Sequence, residues 1–306
     1  MPAAYFEVAK MKPLDPPSRV APKRILLATD FSPASEAALP YALTIARQYG
    51  SKLYIAHVIS PEFRDLVPSE ATAAKVQEAQ QVTQQNMARL LRAVSPCGIS
   101  CQSLIGQGAI WDTLLEMVHE NGIDLIVVGT HGRRGKSKLL LGSVAEEVFR
   151  MAPCPVLTVG PKASEMRSMD VHLDQILYPV EFVPDTSDAA AYAVSLAEEF
   201  HAKLTFMKVL EETLPSPEEK AQVQEPVSHW IDDHISTESD LRERTSFELG
   251  FGPAAEAILK FASDRGMDLI VMDVRRLDPV MAGHFPKPDK AYQVVCTASC
   301  PVLTVY

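Results

Sequence analysis

No stretch of the 306 residues approaches the ~20 consecutive apolar residues that a membrane-spanning helix requires. The opening residues, MPAAYFEVAKMKPLDPPSR, lack the apolar centre of a secretory leader and any helical or strand rhythm. Residues 1–22 therefore read as a loose N-terminal arm, and the chain as a soluble, cytoplasmic protein with no membrane partner. Cysteine is scarce as well: five residues, at 97, 101, 154, 296 and 300. An odd count argues against a closed disulfide framework. The two C-x3-C spacings, Cys97/Cys101 and Cys296/Cys300, lack the paired ligand sets of a zinc site. Cys154 and Cys300 each precede Pro-Val-Leu-Thr-Val, which suggests equivalent buried positions.

An excess of basic charge is also missing. Lys and Arg number 29 against 39 Asp and Glu, a net charge of -10. This balance is unfavourable for a nucleic-acid partner. The charge is uneven. Residues 1–163 carry 17 basic and 14 acidic groups, net +3, whereas residues 164–306 carry 12 and 25, net -13. The acidic half should repel phosphates.

What the sequence does contain is a repeat. Arg24-Ile-Leu-Leu-Ala-Thr-Asp-Phe31 matches Gln175-Ile-Leu-Tyr-Pro-Val-Glu-Phe182 at an offset of 151. Lys52-Leu53 and Val58 match Lys203-Leu204 and Val209 at the same offset. Gly106-Gln-Gly108 matches Gly250-Phe-Gly252, and Asp124-Leu-Ile-Val127 matches Asp268-Leu-Ile-Val271, both at 144. Pro155-Val-Leu-Thr-Val159 matches Pro301-Val-Leu-Thr-Val305 at 146. Conserved order with drifting offsets divides the chain into a first domain, 23–163, a linker, 164–174, and a second domain, 175–306.

Each copy alternates short apolar runs with helical segments, the pattern of a parallel sheet flanked by helices. In the first copy, strands are expected at 25–29, 53–59, 100–105, 124–128 and 155–159. Helices are expected from Ser32 to Tyr49, capped by Ser32 and ended by Gly50, then at 69–94, 111–121 and 143–151. Pro40 should kink the first helix. In the second copy, residues 215–243 contain Pro226 and many charges, so broken helix is expected there.

In an open parallel sheet, ligands bind beyond the carboxyl ends of the strands where the strand order reverses. The segments at that point are Thr29-Asp30, and the run Gly129-Thr-His-Gly132-Arg-Arg-Gly-Lys-Ser-Lys-Leu-Leu-Leu-Gly142-Ser143. Gly129 and Gly132 would permit left-handed turns and close backbone approach. Ser143-Val-Ala-Glu146 has capping-box spacing. A helix opening there would aim free N–H groups at an anion, and Arg133, Arg134, Lys136 and Lys138 add positive charge. The combination suits a polyphosphate. It is not a P-loop: that motif needs a glycine at the position of Thr130, and its loop follows the first strand.

Gly129, Gly132, Gly142 and Ser143 fit G-2x-G-9x-G-[ST], the motif of ATP-binding members of the universal stress protein A family. With its flanks, LIVVGTHGRRG and LLLGSVAEEVFRMAPCPVLTV, and with both repeats, the chain resembles that family over nearly its whole length after residue 22. The resemblance implies two tandem Rossmann-like domains of the adenine nucleotide alpha hydrolase type. Each would be a five-stranded parallel sheet, and the two would pair through their last strands as an internal pseudo-dimer, with homodimers a further form.

It also implies roles. Asp30 would accept a hydrogen bond from the adenine amino group. Ala28 and Thr29 would line that end, and Val58 would pack on the base. Val128 and Gly129 would lie near ribose and phosphates. Gly132, Gly142, Ser143 and Val144 would bind phosphate, and His131 lies within the loop. Mg²⁺ would bridge the phosphates.

The implied function is an ATP-binding stress-response or regulatory protein with an unidentified protein partner, and slow ATP hydrolysis at most. A nucleotide-independent scaffold is the alternative. The second copy departs from the motif: Glu181 replaces the aspartate, and Asp273 and Arg276 stand at the glycine positions. Only the first repeat is expected to bind nucleotide.

Overall fold

The computed structural model describes residues 20–60, 69–130, 141–160, 171–180, 188–210, 217–236, 239–274 and 290–306. The first repeat runs β1 (Arg24–Ala28), α1 (Pro33–Glu36), α2 (Leu39–Tyr49), β2 (Lys52–Ile59), α3 (Ser69–Val94), β3 (Cys101–Gln107), α4 (Ile110–Asn121), β4 (Leu125–Gly129), α5 (Ser143–Met151) and β5 (Val156–Val159). The second repeat runs β6 (Gln175–Pro179), α6 (Asp188–Glu199), β7 (Lys203–Leu210), α7 (Pro217–His234), β8 (Thr245–Phe251), α8 (Ala254–Asp264), β9 (Leu269–Asp273), α9 (Lys290–Thr297) and β10 (Val302–Val305).

The strands form one sheet in the order β3-β2-β1-β4-β5-β10-β9-β6-β7-β8. Neighbours within each repeat are parallel. The junction between the repeats is antiparallel, with Val302 opposite Thr158 and Thr304 opposite Val156. Thr158 Oγ1 donates to the Val302 carbonyl at 3.1 Å, and Thr304 Oγ1 donates to the Val156 carbonyl at 3.2 Å. These two bonds repeat each other at the offset of 146, so the junction has a local pseudo-twofold. The internal pairing implied by the family resemblance is therefore present.

Equivalent residues also meet where α2 crosses α6. Gln48 Nε2 donates to the Glu199 carbonyl at 2.7 Å, and the Tyr49 and Phe200 rings pack edge-on with centroids 6.3 Å apart.

Local chemistry accounts for the element ends. Ser32 caps α1 by accepting from the Ser35 N–H at 3.2 Å. Gly50 ends α2 in the left-handed conformation, φ 65. Pro40 does more than kink the first helix: the segment splits into α1 and α2, with Pro40 in the first turn of α2, where its missing N–H costs nothing. Pro226 does less than expected, since α7 runs continuously from Pro217 to His234. Val227 is buried, and Trp230 and Ile231 pack against the core, so tertiary burial holds the helix through the proline.

The repeated aspartate before the fourth strand has a structural task in both copies. Asp124 accepts from the Lys23 and Arg24 N–H groups at 2.9 and 3.0 Å. Asp268 accepts from those of Asp174 and Gln175 at 3.0 and 2.9 Å.

Apolar side chains fill both faces of the sheet. One cluster lies under α1, α2, α3, α6 and α7 and contains Ile25, Leu27, Val127, Tyr178 and Val271. The other lies under α4, α5, α8 and α9 and contains Leu26, Ala28, Val58, Val128, Met207 and Met272. Among the described residues no helix is long and apolar enough to cross a membrane, and no cluster of three or more His, Cys, Asp or Glu could hold a metal. All five cysteines are free thiols; Cys300 is buried, but Cys154 is only half-buried, so the two are less alike than their sequence context suggests.

Candidate functional site

The order of strands in the first repeat reverses between β1 and β4, which lie side by side with Ala28 opposite Val128. Ala28 also pairs with Ala56 of β2. Ala28, Ala56, Val58 and Val128 are buried in one apolar cluster at the carboxyl ends of these strands, with Val144 of α5 packed against it. Four of the candidate residues, Ala28, Val58, Val128 and Val144, are thus brought to one face of one strand end. The side chains there are small for central strands.

Thr29 and Asp30 continue directly from β1. Thr29 is buried, and its N–H donates to the Ala56 carbonyl at 2.9 Å. Asp30 is half-buried, and its Oδ1 accepts from the Ser32 N–H at 3.0 Å, which closes an Asx-type turn into α1.

Gly129 behaves differently from the expected left-handed turn. It is an ordinary strand residue, and what needs its missing side chain is α1. A Cβ at Gly129 would lie 2.5 Å from the Ala34 carbonyl oxygen and 3.0 Å from the Ser35 Cα. Gly129 therefore lets α1 settle against the end of β4.

On the other side of the site, Gly142 N–H donates to the Thr130 carbonyl at 2.7 Å. This bond fixes Gly142 as the N-cap residue of α5, and Ser143 becomes the first helical residue. The expected capping box is therefore not made. Gly142 has no side chain with which to cap α5, and Glu146 holds Arg150 through a 3.0 Å ion pair. The exposed Ser143 and the first-turn N–H groups open beside the switch point. His131 and Gly132, with Arg133, Arg134, Lys136 and Lys138, lie outside the described residues.

The corresponding place in the second repeat is built from other side chains. Pro179 stands opposite Met207 as Ala28 stands opposite Ala56, and Met272 of β9 takes the sequence position of Val128. Both methionines are 2% exposed and lie in the same apolar cluster. Asp273, at the Gly129 position, sits on the opposite face. Its Oδ2 accepts from the Tyr178 hydroxyl at 2.8 Å, and its carboxylate also accepts from the Ala189 N–H at the start of α6. Burial, with a smaller push from Asp188 nearby, brings the Asp273 carboxyl up to about 6 despite these two donors.

Sequence reading found Asp273 but missed the methionines, because neither falls in a repeated motif. Their signal was the register: a small residue in one copy against methionine in the other at two paired positions. Glu181, Arg276 and Gly283 lie outside the described residues.

The model of the universal stress protein family matches the chain twice, at residues 22–160 and 172–305. Universal stress protein MJ0531 of Methanocaldococcus jannaschii is 30% identical over 144 residues, 47% of this chain and 85% of that protein. A universal stress protein of Thermus aquaticus is 32% identical over 146 residues, 45% of this chain and 98% of that protein. Among solved structures, a universal stress protein from Archaeoglobus fulgidus superposes with a TM-score of 0.69. That match covers 92% of this chain and 97% of the other at 18% identity, which demonstrates a shared fold over both repeats.

Proposed function

The chain belongs to the universal stress protein family, and from that premise we propose that it is a cytoplasmic regulatory protein that binds ATP at one site, in its first repeat. The observation that carries this reading is the side-by-side placement of a small-residue strand end and a helix whose N-cap residue is glycine. Ala28, Ala56, Val58 and Val128 form a small-residue apolar surface of the kind on which a planar base would pack. The N–H groups of Ser143 and Val144, with the helix dipole behind them, suit the charge of a polyphosphate.

In this reading Asp30 accepts from the adenine amino group and Thr29 lines that end. Gly129, Gly142 and Ser143 border the phosphates together with His131 and Gly132 of the loop. A Mg²⁺ ion would bridge the phosphates and offset their charge. Asp30 is committed to the base, so the reading is of a binding protein whose turnover of ATP is slow at most. Binding would act by shifting a conformational or partner equilibrium that a protein partner reads.

The second repeat serves as the permanent pairing partner of the first. Met207 and Met272 favour a scaffold role for that half, because large buried side chains stand there at the positions of Ala56 and Val128.

The test is to denature freshly purified protein and identify any nucleotide released, then repeat with Gly132→Glu. ATP, released at near one equivalent and lost in the variant, is the expected result. Protein that neither releases nor takes up ATP at millimolar concentration would remove the proposal.

A further inference from the structure

We propose that His57 is the positioning residue for the adenine end of this site, holding the turn that presents Asp30. The inference rests on the nucleotide reading above and adds the determinant of base selectivity.

The turn is strained. Phe31, immediately after Asp30, has φ 59, in the left-handed region where a side chain other than glycine's costs about 1–3 kcal/mol. Something must hold it there. Its N–H donates to Thr29 Oγ1 at 2.9 Å, and Thr29 Oγ1 is in turn hydrogen-bonded to Ser35 Oγ at 3.0 Å. Its ring lies against the His57 imidazole, with centroids 4.4 Å apart and the planes inclined by 36°. His57 Nδ1 is 2.7 Å from the Thr29 carbonyl oxygen. A carbonyl only accepts, so Nδ1 carries the proton and the imidazole tautomer is fixed.

One side chain of β2 therefore grips both residues that flank Asp30: the carbonyl on one side and the strained aromatic on the other. The orientation of the Asp30 carboxylate follows from the two peptide planes between those grips. His57 would not touch the base, so its part is positional.

The second repeat supplies an internal comparison. Lys208 stands at the His57 position, at the offset of 151. It has neither a ring for stacking nor an Nδ1 donor. An imidazole clamp is thus possible only in the repeat with the intact glycine motif and small strand-end residues, since the other repeat has lysine at this position.

A carboxylate held toward the base edge accepts from the 6-amino group of adenine and repels the 6-oxo group of guanine. Loosening it should erode base selectivity and leave phosphate binding alone. The experiment measures affinities of the full chain for ATP, GTP and inorganic triphosphate by calorimetry, with circular dichroism as a check on folding. The wild-type chain should prefer ATP over GTP. His57→Ala should lower that preference roughly tenfold, about 1.4 kcal/mol, with triphosphate affinity unchanged. His57→Asn, which keeps an N–H donor near the Thr29 carbonyl, should restore part of the preference.

If His57→Ala fails to fold, His57→Phe carries the test: it keeps the ring contact, loses the hydrogen bond and should show an intermediate preference. An unchanged ATP-to-GTP ratio in these variants, beside a wild-type chain that binds ATP, overturns the positioning role. A parallel fall in ATP and triphosphate affinity also overturns it, since that is a general structural effect. A wild-type chain that binds no ATP overturns the underlying nucleotide reading as well.

Discussion

The Tyr178 hydroxyl donates a 2.8 Å hydrogen bond to Asp273 Oδ2 at the position where the first repeat has Gly129. The carboxylate that marks the second repeat as different is tied down on the α6 face, away from the cluster that contains Met207 and Met272. Its burial has a measurable consequence. The folded-state value is raised from 3.8 to about 6, so the folded chain holds this proton more tightly than the unfolded chain does. The contribution of Asp273 to stability is therefore most favourable below pH ~4, declines as pH rises toward ~6 and is level above that. Asp273→Asn removes this dependence. Urea midpoints from pH 4 to 7 should show the variant gaining on the wild type by on the order of 2 kcal/mol across the window. A constant difference would refute the assignment.

Gly129→Ala probes the approach of α1. The added methyl would lie 2.5 Å from the Ala34 carbonyl, a backbone atom that cannot swing aside. A loss of about 1–3 kcal/mol is expected from overpacking. Because α1 is joined directly to the Asp30 turn, ATP affinity should fall with it. Chemical denaturation and calorimetry on the same sample check both effects. A variant with wild-type stability would mean that α1 does not bear on β4.

Met207→Ala and Met272→Ala each empty a fully packed position in the second repeat. Truncation of a buried methionine costs about 2–5 kcal/mol, and the two losses should be non-additive because the residues share one cluster. A double-mutant cycle by urea unfolding measures the coupling. Simple additivity, or losses under about 0.5 kcal/mol, would show that these side chains do not fill a common space.

Thr158→Val and Thr304→Val remove the two cross-repeat hydrogen bonds at the junction. Each substitution should cost about 1–2 kcal/mol, and the two values should agree, since the local pseudo-twofold places both hydroxyls in equivalent surroundings. Unequal losses in thermal unfolding would show that the symmetry of the junction is only geometric.

Much of this architecture could be read from the residues. Blocks such as Arg24–Phe31 and Asp124–Val127 gave the repeat, the central strands and the position of the switch point, because buried parallel strands leave short apolar runs and their turns need few residue types. The end of α2 was visible in Gly50, which adopts left-handed geometry.

Other features depend on contacts distant in sequence. Ser143 has the spacing of a cap, yet Gly142, whose N–H is bonded to the Thr130 carbonyl, is the N-cap residue, and the helix begins at Ser143 as expected. Pro226 looked like a break, but burial of Val227 sustains α7. The strain at Phe31 and its support by His57 join β1 to β2 and had no local signature. Asp273 drew attention as a charge at a glycine position, whereas the methionines that occupy the strand end were silent, being ordinary core residues until the two repeats are placed in register.

The central claim is that nucleotide binds in one half of the molecule. Equilibrium dialysis of the intact chain against labelled ATP, at saturating ligand and with Asp30→Ala as the control, tests it most directly. The account predicts one ATP per chain, lost in the Asp30 variant. Two per chain, or one that survives Asp30→Ala, would contradict it.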